Sequence, residues 1–156
     1  MNGPTSNRLK IVVGLDGSAP AEQALAWAVD AALAFGAEVV AVHSVGMLES
    51  AHGPATTSAT ETSAQPPKDV LVQLRHAVGH CLEKVETPPE LRLVFEPGAP
   101  ADALLRVAEV EKADLIVVGR RGHGEPYQLD LGSTSRSVAA RGTVPVVVVP
   151  SSQSEG

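Results

Sequence analysis

The sequence predicts an α/β protein: a parallel β-sheet with helices on both faces. Three observations predict it. Short valine-rich runs alternate with longer segments whose apolar residues recur at helical spacing. Runs such as Ile11-Val12-Val13 are apolar at every position, as strands buried on both faces require. The segments between runs are long enough for crossover helices, which join parallel neighbours. Aromatic residues make up only 3% of the chain, so Ala, Val and Leu must fill the interior.

The elements follow in order. The first strand is expected from Leu9 to Leu15, and Asp16-Gly17-Ser18 ends it. Ser18 is placed to cap the next helix, with Pro20 tolerated in its first turn. That helix carries Ala21, Leu25, Ala28, Ala32 and Phe35 at helical spacing, and Gly36 marks its end. The second strand runs from Glu38 to Val45. Residues 46–67 are rich in Ser, Thr, Ala, Pro and Gly, exceed an ordinary loop, and are expected to be mobile or disordered. A helix from Lys68 to Val85 shows Leu71, Leu74, Val78, Leu82 and Val85 on one face, and Thr87-Pro88-Pro89 stops it. A third strand, Leu91 to Phe95, leads through Pro97-Gly98-Ala99-Pro100 into a helix to about Lys112. The fourth strand, Leu115 to Val118, meets a glycine turn and a further helix, and Val144 to Val149 is the fifth strand. The expected strand order is 3-2-1-4-5, with the ligand crevice where the order reverses, between strands 1 and 4. The whole chain, 1–156, reads as one domain.

Bulk properties narrow the function. A net charge of −6 argues against non-specific nucleic-acid binding. The single cysteine, Cys81, excludes an intrachain disulfide and a multi-cysteine metal site, and its place on an apolar helix side reads as packing. No apolar run approaches the ~20 residues of a membrane span, and the first ten residues lack a signal-peptide core. A cytoplasmic location is expected. His76 and His80 lie four apart on a helix, but two ligands rarely make a metal site.

The chemistry concentrates after the fourth strand. Gly119, Gly122 and Gly132 are followed directly by Ser133, Thr134, Ser135 and Ser137. Glycines allow close approach to backbone N–H groups, and hydroxyls at a helix start add donors and acceptors to its unpaired amides. The combination suits a phosphate. No Walker G-x-x-x-x-G-K-[ST] is present, and neither paired carboxylates nor a Ser-His-Asp arrangement stands out.

The spacing Gly-x2-Gly-x9-Gly-Ser at Gly119, Gly122, Gly132 and Ser133 resembles the nucleotide-binding signature of the universal stress protein family. The opening IVVGLDGSAPAEQAL and the ending SRSVAARGTVPVVVVP are similar to that family's first and last elements. The resemblance implies a Rossmann-like fold that binds ATP with Mg²⁺ or Mn²⁺, acting as a stress-response regulatory module. It implies Gly119 and Gly122 beside ribose and phosphates, and Gly132 with Ser133 on the phosphate tail. The backbone of Thr134 and the hydroxyl of Ser135 match further contacts. Asp16 falls near the ribose or a phosphate-bound cation, and Ser44 at the adenine edge. It also implies a homodimer through the 144–149 edge strand, whose ends Pro145 and Pro150 blunt. His43 reads as a partly buried strand residue, and Arg121 and His123 as solvated turn residues. The rival readings are a slow nucleotide hydrolase, with Asp16 or His123 as base, and an interaction module that binds no nucleotide. A flavodoxin-like carrier fits less well, because only Ser18 follows Asp16-Gly17 and flavin-stacking aromatics are scarce.

Overall fold

The computed structural model describes residues 7–46, 65–120 and 131–151. The interior of the expected loop, 47–64, and the turn residues Arg121, Gly122 and His123 lie outside the described residues. The described elements alternate: β1 (Lys10–Gly14), α1 (Ala19–Phe35), β2 (Glu38–Val45), α2 (Lys68–Glu83), β3 (Leu91–Pro97), α3 (Pro100–Glu111), β4 (Leu115–Gly119), α4 (Ser133–Arg141) and β5 (Val146–Val149). The strands form one sheet in the order β3-β2-β1-β4-β5, and every neighbouring pair is parallel. This is the Rossmann-like architecture and strand order expected from the sequence.

The two-residue period of a strand divides β1 between two cores. Ile11 and Val13 face one side, where Ala24, Leu25, Ala28 and Val29 of α1 and Leu74 of α2 cover them. Val12 faces the other, with Val40 and Val42 of β2, Leu104 and Val107 of α3, and Val138 of α4. Val12, Val13, Val40 and Val117 are buried almost completely, which is why the inner strands read as continuous apolar runs. Alanine along α1 and α3 lets these helices lie close to the sheet. Gly14 does the same from the strand side, since a Cβ there would stand 3.1 Å from Leu104 Cδ1.

Local signals explain the boundaries. Ser18 caps α1, its hydroxyl accepting from the Ala21 N–H at 3.3 Å. Gly36 closes the same helix at φ 67, the left-handed region that glycine occupies without penalty. Lys112 closes α3 in that region too, at φ 54, so the helix stops one residue before the position the sequence favoured. Helix α2 ends at Glu83, with Lys84 as its cap.

Two expectations need correction. Phe35 belongs to the helical apolar pattern but is 65% exposed. Phe35 is the last residue of α1, and in that last turn it is Ala32, 1% exposed, that packs into the core. Strand β5 begins at Val146 rather than Val144. Pro145 has no N–H for the ladder, although its carbonyl still accepts from Ile116 N–H at 3.0 Å.

Candidate functional site

The strand registers align the ends of three strands. Gly14 of β1 pairs with Val42 of β2, and Val13 pairs with Val117 of β4. Carrying those registers forward puts Asp16, Ser44 and Arg120 in one row across the carboxyl edge of the sheet. Neighbouring strands are about 4.8 Å apart, so the row is compact. Asp16 and Ser44 both line a cleft of about 50 Å³, together with Gly14, Leu15, Val42, Pro100 and Leu104. It opens at the carboxyl ends of β1 and β2 under the start of α3, beside the β1–β4 boundary at which strand order reverses and doubly wound sheets bind ligands.

Asp16 is exposed, and its turn is well defined. Carboxylate Oδ1 accepts from the Ser18 N–H at 2.9 Å and from the Ser18 hydroxyl. Gly17 completes the turn at φ 84. Thus Ser18 both caps α1 and anchors Asp16 at the mouth of the cleft.

Gly119 ends β4, and its role in the described structure is close approach. A Cβ there would lie 2.9 Å from the Pro20 carbonyl oxygen, so only glycine lets the first turn of α1 rest against this strand end. The next residue holds the far side of the glycine turn. The Arg120 carbonyl accepts from the Gly132 N–H at 2.8 Å and from the Ser135 hydroxyl at 3.0 Å. Ser135 is 2% exposed, and its one proton is shared between the Arg120 and Gly132 carbonyls, the latter at 3.1 Å. These bonds tie the start of α4 to the end of β4, next to β1.

Helix α4 starts without a capping side chain. Gly132 is its N-cap in extended conformation, there is no side-chain cap bond, and the first turn contains no acidic residue. Ser133 is exposed and Thr134 half-buried there. The first N–H groups of a helix carry partial positive charge, so this end favours an anion. Gly122, expected beside the same ligand, lies outside the described residues.

Sequence reasoning missed part of the cleft. Pro100 and Leu104 form a wall of it from the first turns of α3. The turn Pro97-Gly98-Ala99-Pro100 was the available signal, because it starts α3 at the same sheet edge. His43 is more buried than expected, at 8% exposure, with Nδ1 2.9 Å from the Leu15 carbonyl. Cys81 packs against the core as expected, and burial, with Asp30 and Glu22 nearby, pushes its thiol pKa up, away from reactivity.

The fold is that of a doubly wound α/β protein with a cleft at the carboxyl ends of β1 and β2, next to its topological switch point. A profile of the Universal stress protein family matches residues 7–150, and the chain belongs to that family. A universal stress protein of Thermus aquaticus, named for its place in a QAH/OAS sulfhydrylase 3′ region, is 35% identical over 140 residues, covering 89% of this chain and 96% of that protein. Among solved structures, the universal stress protein UspA from Lactobacillus plantarum superposes with a TM-score of 0.69 at 25% identity, covering 93% of this chain and 99% of that one. A universal stress protein crystallised in complex with cAMP superposes with a TM-score of 0.66 at 28% identity, covering 94% of this chain and 100% of the other. No described helix is long and apolar enough to cross a membrane.

Proposed function

We propose that this protein binds an adenine nucleotide, ATP in the cell, and acts as a stress-response regulatory module rather than as a dedicated catalyst. The observation that carries the reading is the shared row of Asp16 and Ser44 on one cleft, with the uncapped start of α4 one strand away. The ribose hydroxyls donate to the Asp16 carboxylate. The adenine edge meets the backbone at Ser44. The phosphates take the N–H groups of Ser133, Thr134 and Ser135 after the N-cap Gly132, and Gly119 and Gly122 are the further contacts that the family signature implies. The 28% identical relative whose structure holds cAMP supports the adenosine part of this reading.

Mg²⁺ fits as an ion carried by the nucleotide. Among the described residues no group of three His, Cys, Asp or Glu could hold a metal ion. A single carboxylate such as Asp16 is the usual protein share when phosphates supply the other ligands. Isothermal titration tests the proposal: saturable binding of ATP, strengthened by Mg²⁺, is expected. No saturable heat with ATP, AMP or cAMP would contradict it.

The same reading includes a homodimer. Every residue of β5 is only half-buried, and β5 is an edge strand of the sheet. An apolar edge of this kind is covered by pairing with its copy about a two-fold axis. Sedimentation equilibrium should give twice the chain mass; a monomer at micromolar concentration would remove this part.

A further inference from the structure

We propose that His43 is a positioning residue for the nucleotide cleft: it holds the Leu15 carbonyl and so sets where Asp16 stands. The inference rests on the nucleotide reading above. Val42 and Ser44 line the cleft, whereas His43, between them on β2, does not. Its side chain leaves the opposite face of the sheet, as the strand period requires. There its ring meets the edge of Phe95, with centroids 6.3 Å apart and planes at 78°.

Two bonds from consecutive β2 residues grip Leu15. The Leu15 N–H donates to the Val42 carbonyl at 2.8 Å, and His43 Nδ1 lies 2.9 Å from the Leu15 carbonyl. A carbonyl only accepts, so Nδ1 carries the proton in this bond, and in the neutral ring Nε2 holds the lone pair. Nε2 is buried and has no hydrogen-bond partner among the described residues. A buried acceptor without a partner is unfavourable, and an aliphatic side chain would avoid it. Among the described residues, the ring's one polar contact is therefore the one to Leu15. Because the peptide is planar, holding the Leu15 C=O also fixes the direction of the Leu15–Asp16 link. Ser18 then orients the Asp16 carboxylate through its N–H and hydroxyl. His43 thus acts on the ligand without touching it.

Two variants separate positioning from bulk. In His43→Asn the amide nitrogen can take the place of Nδ1 and keep the donor. In His43→Leu the volume is roughly kept and the donor is lost. Titration with ATP should give His43→Asn an affinity within about threefold of wild type, and His43→Leu a loss of about tenfold. Dideoxy-ATP, which lacks the ribose hydroxyls that Asp16 reads, should bind wild type and His43→Leu equally. A His43→Leu protein that binds ATP as wild type does, or that loses both nucleotides alike, overturns the proposal. Wild type that binds no ATP instead sinks the nucleotide reading, and the positioning role falls with it. Should His43→Leu fail to fold, ¹⁵N spectra of the wild-type imidazoles decide. A neutral His43 protonated at Nδ1, with a signal that moves on adding ATP, supports the proposal. Protonation at Nε2 alone, or a signal indifferent to ATP, overturns it.

Discussion

The two ends of the sheet are built in opposite ways. At the amino end, charges are matched by side chains. Lys10 pairs with Glu38 at 3.3 Å and with Glu111 at 3.1 Å, and Arg92 reaches the same Glu111 at 2.8 Å. Asp114 accepts from the Lys10 N–H at 2.9 Å. At the carboxyl end, glycines and backbone groups dominate: Gly14 and Gly119 permit close packing, Gly17 turns the chain, and α4 begins without a side-chain cap. The amino end closes four elements on themselves. The carboxyl end leaves a cleft and a helix start available to a ligand. Strand direction decides which is which, since all five strands deliver their loops to the same edge.

This contrast can be broken at either end. The largest effect is expected at the carboxyl end, from Gly119→Ala. The new methyl group would meet the Pro20 backbone, and urea unfolding should show a loss of about 1–3 kcal/mol. Unchanged stability would mean that α1 has room to shift and that Gly119 serves only the ligand.

A smaller effect is expected at the amino end, from Glu111→Gln. Arg92 above all, with help from Lys10, holds the Glu111 carboxyl below the usual range against the opposing effect of burial. A depressed carboxyl contributes stability above its unfolded pKa, about 4.3, and loses it as pH falls through the folded value. The variant should lose about 1 kcal/mol or less at pH 7, less still in high salt. The difference from wild type should shrink as pH drops below about 4. Nucleotide affinity should not change. A changed affinity would show that the two ends are coupled.

The fold was legible because its signals are local and agree with one another. Valine runs without alternation, Ser18 and Gly36 as caps, and Pro100 at a helix start each pointed to the element found. Phe35 misled because helical spacing says which side a residue faces, not whether anything covers it at the helix end. Asp16 could be placed at the carboxyl edge because it follows the first strand, whereas Ser44 came from the family resemblance; the structure puts both on one cleft. Leu104 could not be placed, since its approach depends on how α3 lies over Gly14, a contact between distant parts of the chain. The His43 bond to Leu15 spans 28 residues and joins a side chain to a carbonyl, which no periodicity records. Ser135 matched a ligand position by resemblance, and the structure shows that its proton also closes the turn onto Arg120.

The most direct test of the anion end uses Ser133→Asp, measured for stability and for ATP binding together. Ser133 is exposed at the first position of α4, so a carboxylate there complements the helix start and should raise stability by about 0.3–1 kcal/mol. The same charge occupies the place proposed for the phosphates, so ATP affinity should fall by at least about tenfold. Opposite signs in the two measurements are the predicted result. A variant that gains stability and still binds ATP as tightly as wild type would place the phosphates elsewhere and contradict the account.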